Sequence, residues 1–141
     1  MGLSKALELA CEEMEYQEKR LKKIRDNFEE RLLNKISDIK INSGQVLRLP
    51  HISNVGFKGV EAESIILHLD LKGIAVSSGS ACTTGLPEYS HVLKAMNVPP
   101  EIANGSIRFS MGRKTKEDDM EYTLEVLEET IKKLRKISPV T

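Results

Sequence analysis

The sequence predicts an α+β domain, a small sheet with helices packed on one side and a long N-terminal helix. Three observations carry this. Apolar residues step by three, four and seven at the N-terminal end of the chain and by three and four at the C-terminal end. Between those ends they fall in short runs that alternate or cluster as strands do. The runs lack the regular alternation with long crossovers that would give a parallel sheet. At 141 residues the chain suits one domain with one core. The expected division of 1-141 is a linker helix over about 4-35, a sheet with a loop inside it over about 39-113, and a final helix over about 116-136.

The first helix rests on the stripe Leu7, Cys11, Met14, Leu21, Ile24, Phe28 and Leu32. Gln17 and Glu18 interrupt that stripe, so its two halves are expected to pack against different bodies, one of them outside this chain. Ile39 to Ile41 and Val46 to Leu49 read as strands joined by a turn at Asn42-Ser43-Gly44, with Ile52 to Phe57 extended after Pro50. Ala62, Ile65, Ile66 and Leu69 define a second helix that Gly73 is placed to end. Ile74 to Val76 reads as a short buried strand leading into Ser77-Ser-Gly-Ser-Ala-Cys82, and a short helix is expected around His91 to Met96. Asn97 to Gly105 reads as loop. In the next strand Ile107, Phe109 and Met111 alternate with Arg108 and Ser110, which buries the first set and turns Arg108 to the opposite face. Thr115 to Asp118 resembles a capping box opening the last helix, whose stripe is Met120, Leu124, Leu127, Ile131 and Leu134.

Composition excludes several classes of function. With 21 Lys+Arg against 21 Asp+Glu there is no field favouring nucleic acid or an anionic membrane. No apolar run approaches the ~18 residues that cross a bilayer, and the N-terminus lacks the pattern of a secretion signal. The chain is expected to be cytoplasmic. His51, His68 and His91 share no metal-ligand spacing, and no metal is expected.

Two cysteines lie in unlike surroundings. Cys11, on the stripe between Leu7 and Met14, reads as a small buried hydrophobe. Cys82 lies among Gly79, Ser80, Thr83, Thr84 and Gly85, where a thiol stays reachable; it is the candidate nucleophile, with an accidental surface cysteine as the alternative. Ser77 to Ser80 could cradle a phosphate, but the Gly-x-x-x-x-Gly-Lys spacing is missing. Arg108 suits a carboxylate through its planar fork, against a plain salt-bridge role. His91 is a candidate base for the thiol or an ordinary helix-surface residue, while Arg113 and Lys114 read as a solvated turn. The Glu and Lys runs of the first and last helices read as solvated faces.

Gly59-Val60-Glu61-Ala62-Glu63, Gly73 to Cys82, Ser90-His91-Val92-Leu93, Gly105 to Arg113 and Leu134-Arg135 with Ser138-Pro139 together resemble the C-terminal part of a NifS-like cysteine desulfurase. The resemblance runs from Ala6 onward. It implies the small domain of a fold-type-I, pyridoxal-phosphate enzyme of the class-V aminotransferase group, with Cys82 taking sulfur from L-cysteine and Arg108 holding the substrate carboxylate. The segment after Cys82 resembles the mobile catalytic loop of the members that feed iron-sulfur cluster assembly. Leu86-Pro87-Glu88-Tyr89-Ser90 departs from the family's more usual Glu-Pro-Ser order.

By the same resemblance the cofactor lysine, the acid facing the pyridine nitrogen and the phosphate-binding groups would lie N-terminal to Met1. No cofactor is therefore expected on this chain alone. The expected partners are the large cofactor-binding domain, L-cysteine and a sulfur-acceptor or iron-sulfur scaffold protein. Self-association is expected through faces the large domain would otherwise cover. A non-enzymatic persulfide carrier and an interaction domain with an incidental thiol are the competing readings.

Overall fold

A computed structural model describes residues 2–78 and 90–137 of the chain. Its elements are α1 (Gly2–Lys35), β1 (Ile39–Asn42), β2 (Ile52–Phe57), α2 (Ala62–Asp70), β3 (Ser77–Ser78), α3 (His91–Ala95), α4 (Pro100–Ala103), β4 (Ser106–Ser110) and α5 (Glu117–Ile137). The strands form one antiparallel sheet in the order β1-β2-β4-β3. This is the α+β class expected, with the three longer helices over one face of a four-stranded sheet.

Alternation along β2 and β4 sets the two faces. Val55, Phe57, Ile107 and Phe109 point into the core, where they meet Ile24, Phe28 and Leu32 of α1, Ile65 and Leu69 of α2, and Leu124, Leu127 and Ile131 of α5. The rings of Phe28 and Phe109 meet edge to face with centroids 5.3 Å apart, which ties the long helix to the central strand. The opposite face carries Asn42, Asn54, Ser106 and Arg108. The short α4 lies over one end of it: a Cβ on Gly56 would stand 2.3 Å from Ile102 Cγ2.

Among the described residues, the second half of the α1 stripe is buried and the first half is not. Leu21, Ile24, Phe28 and Leu32 are in the core, whereas Leu7 and Met14 are exposed. Cys11 is exposed as well, which corrects its reading as a buried hydrophobe; on that part of the helix none of the described elements forms a core around it.

Val46 to Leu49 is not a strand, and β1 pairs directly with β2. Two charged residues of α1 account for this. Arg25, 5% exposed, donates from Nη1 to Leu49 O at 2.8 Å. Glu29, 7% exposed, accepts from Arg48 Nη1 at 2.6 Å and from Ser53 Oγ at 2.6 Å. These bonds draw the segment against the helix and leave Val46 and Leu47 exposed. The burial of Glu29 also corrects the reading of the Glu runs of α1 as a solvated face.

Ile74 to Val76 is likewise not a strand, and its residues are at most half buried. Gly73, at φ +77°, turns the chain so that Ile74 N donates to Leu69 O at 2.9 Å and Gly73 N to Asp70 O at 2.9 Å. Those donors close α2. The stretch read as loop from Asn97 contains α4, whose first residue is Pro100; proline at that position forgoes only a donor the helix cannot use. At the start of α5 the backbone N–H of Lys116 is accepted by Asp119 Oδ2 at 2.8 Å, one residue beyond the acid expected.

Candidate functional site

Gly105 places β4. A Cβ there would lie 2.1 Å from Phe57 O and 2.7 Å from Val60 O, so only glycine lets the strand enter at this depth. Phe57 N donates to Gly105 O at 3.1 Å, which fixes the register. Three residues on, Arg108 stands between Asn54 of β2 and Ser77 of β3, each its direct partner across the sheet.

Arg108 is exposed, and among the described residues its guanidinium has no hydrogen-bonding or ionic partner. Its flanking residues Ile107 and Phe109 are 0% and 4% exposed, so they anchor the strand while the cation stays open to solvent. A planar fork with five donors, held at its base by a sheet, can grip a carboxylate with two parallel hydrogen bonds.

Beside it runs a polar chain that the sequence reading missed. Asn42 Nδ2 donates to Asn54 Oδ1 at 2.6 Å and to Ser106 Oγ at 3.2 Å, and Ser106 Oγ donates to Ile102 O at 2.9 Å. Asn42 and Ser106 are 3% and 2% exposed. The sequence signal that could have found these residues is alternation alone: each lies on the Arg108 face of its strand, a polar residue where none is required by packing.

Cys82, the candidate nucleophile, lies outside the described residues. It follows the end of β3 by four residues. His91 opens α3 and is exposed; among the described residues its ring has no hydrogen-bond partner. Ser90, just before it, is buried, and Leu93, Val98 and Ala103 form a small separate cluster that joins α3 to α4.

Arg113, read as part of a solvated turn, pairs with Glu13 at 2.5 Å. Arg20 donates to the carbonyls of Thr115 at 2.7 Å and Arg113 at 3.0 Å, so the middle of α1 is latched to the turn after β4. Among the described residues no group of His, Cys, Asp and Glu could hold a metal ion, and no helix is long and apolar enough to cross a membrane.

Comparison with known proteins places these features in a family. The family described as aminotransferase class-V matches residues 1–123. The chain is 51% identical over 139 residues to cysteine desulfurase IscS of Dictyoglomus turgidum, covering 99% of this chain and 35% of that protein. It is 45% identical over 141 residues to cysteine desulfurase IscS of Methanosarcina thermophila, covering 100% of this chain and again 35% of the relative. Among solved structures it is similar to a NifS-like protein from Rickettsia africae, with a TM-score of 0.76 and 31% identity over 88% of this chain and 31% of that one. The chain thus spans about a third of the length of the relatives it matches. On the extent of that match, the chain belongs to the class-V aminotransferase family.

Proposed function

We propose that this chain is the small domain of a cysteine desulfurase, in which Cys82 accepts sulfur from L-cysteine while Arg108 holds the substrate carboxylate. The observation that carries the reading is the pairing of Ser77 with Arg108 across β3 and β4. The chain leaves that pair toward Cys82, five residues after Ser77, a span of at most about 18 Å even when fully extended. The length of chain between them thus keeps the thiol within reach of the β3–β4 pair that carries the guanidinium.

The donors around Arg108 are amides and hydroxyls, which suit an anionic substrate group. Among the described strand residues no carboxylate stands on this face to oppose a pyridine nitrogen, and Lys40, the lysine on it, is separated from Arg108 by β2. The described residues therefore do not fit pyridoxal phosphate as a resident group, and its binding is assigned to protein outside this chain. There the cofactor supplies the electron sink that weakens the bond from carbon to sulfur.

The residues of this chain act on the sulfur itself. The Cys82 thiolate forms a bond to the substrate sulfur as the carbon–sulfur bond breaks; the electron pair stays with carbon, which takes up a proton and leaves as L-alanine. Cys82 is left as a persulfide. An ordinary thiol ionises near pH 8.5, so at neutral pH a proton acceptor aids the attack, and His91 is assigned that role. Arg108 orients the substrate through its carboxylate.

The persulfide is then passed to a sulfur-acceptor or iron-sulfur scaffold protein. A free nucleophilic thiol of this kind suits a cytoplasmic location, where thiols are kept reduced. Mass spectrometry tests the reading. After incubation with L-cysteine and a cofactor-loaded desulfurase large domain that lacks its own small domain, the chain is expected to restore alanine release and to carry one added sulfur on Cys82, and the Cys82→Ser chain to do neither. With L-cysteine and pyridoxal phosphate alone, the chain is expected to release no alanine. An unmodified Cys82 would defeat the proposal; alanine release by the chain alone would defeat the assignment of the cofactor to other protein.

A further inference from the structure

The hydrogen-bond chain beside Arg108 has only one consistent direction. The carbonyl of Ile102 can only accept, so the single proton of Ser106 Oγ is committed to it at 2.9 Å. Ser106 Oγ must then accept from Asn42, whose atom at 3.2 Å is therefore the amide nitrogen. The second proton of that nitrogen goes to Asn54 at 2.6 Å, which makes the facing atom of Asn54 its oxygen. The free end of the Asn54 side chain is then its NH2 group.

Reversing the Asn42 amide would leave a buried NH2 in place of one buried oxygen and would compete for the Ser106 proton. The observed direction does leave Asn42 Oδ1 buried without a partner. An unpaired buried acceptor is a cost that the fold carries while the outward group of Asn54 is kept a donor.

Asn54 lies directly opposite Arg108 across β2 and β4 on the same face. Side chains so paired have Cβ atoms about 4.5–5.5 Å apart, close enough for one carboxylate to touch both. We propose that Asn54 is a second donor for the anion held at Arg108, its amide polarity set by Asn42 and Ser106. This rests on the carboxylate reading of Arg108 given above, and it adds a residue that fixes which way the carboxylate lies. A guanidinium alone grips a carboxylate at several angles; a neutral donor beside it selects one.

The test is an NMR titration of the 141-residue chain with L-alanine, following the Arg108 Nε and Asn54 side-chain amide signals. Both are expected to shift with one saturation curve, and L-alaninamide, which lacks the carboxylate, is expected to move neither. Asn54→Ala should weaken binding about five- to tenfold. Asn54→Asp keeps the oxygen that Asn42 needs but replaces the outward donor by an acceptor, and should weaken binding by at least about tenfold. Ser110→Asp places the same charge on the same face one pair away and should cost only about twofold.

Equal losses in Asn54→Asp and Ser110→Asp, or an unmoved Asn54 amide while Arg108 shifts, would overturn the role of Asn54 and leave that of Arg108 standing. Undiminished binding in Arg108→Gln, or no saturable shift at either residue, would overturn the carboxylate reading and this inference with it.

Discussion

Gly105 and Arg108 show how single residues set up the candidate site. An added Cβ at Gly105 would meet two backbone carbonyls, which cannot move aside as a side chain could. Gly105→Ala is therefore expected to destabilise the fold by about 3 kcal/mol, the upper end for overpacking, measured by urea denaturation. The outward face of Arg108 was legible in the sequence because Ile107, Phe109 and Met111 alternate around it. Asn54 was not, because its significance depends on a register with Arg108 that no local pattern reveals and on a hydrogen-bond direction that starts at Ile102. Cys11 was misread for a related reason: a stripe of apolar residues specifies a helix face, and only the tertiary structure says how much of that face is covered within the chain.

At the scale of elements, α1 is held by charges as well as by its apolar stripe. Glu29 gathers Arg48 and Ser53 in a largely buried site, its side chain 9% exposed. Glu29→Ala removes one partner of a buried pair and is expected to cost about 3–5 kcal/mol, with the 43–50 segment losing its protection from hydrogen exchange. The apolar run Val46 to Leu49 favoured a strand locally, and Arg25 and Glu29 overrode it from the far side of the sequence. Their spacing puts both on the flank of the buried stripe, one residue after Ile24 and Phe28, but does not reveal their partners.

Arg31 and Glu121 clasp α1 to α5 through two hydrogen bonds. The Arg31 guanidinium holds the Glu121 carboxyl below the usual carboxylate range, against a smaller opposing effect of burial. Because the folded value is the lower one, this clasp contributes fully above the ordinary carboxylate pKa and is lost as pH falls through the depressed value. Glu121→Gln is expected to flatten the acid limb of the stability curve, followed by thermal melts between neutral and acid pH. An unchanged limb would show that the clasp does not couple to folding.

Over the whole molecule, the fold class was legible because helix and strand periodicities separate cleanly along the chain, whereas what covers the first half of α1 was not. That half carries Leu3, Leu7 and Met14, all exposed, while the second half is in the core. The chain spans about a third of its relatives' length. Alone, the chain is expected to self-associate, with light scattering showing a mass that rises with concentration, and Leu7→Glu with Met14→Glu is expected to return it to a monomer. A constant monomer mass for the unaltered chain would contradict that expectation.

In the proposed function Cys82 is a reachable thiol close to Arg108 on the inner strand β4. Attaching a nitroxide to Cys82 in a Cys11→Ser chain and measuring the broadening of NMR signals tests it most directly. Complete labelling is expected, with strong broadening at the Arg108 Nε and Asn54 amide signals and sharp signals along the core side of α5. A thiol that resists the label, or broadening that spares Arg108 and falls on α5, would contradict it.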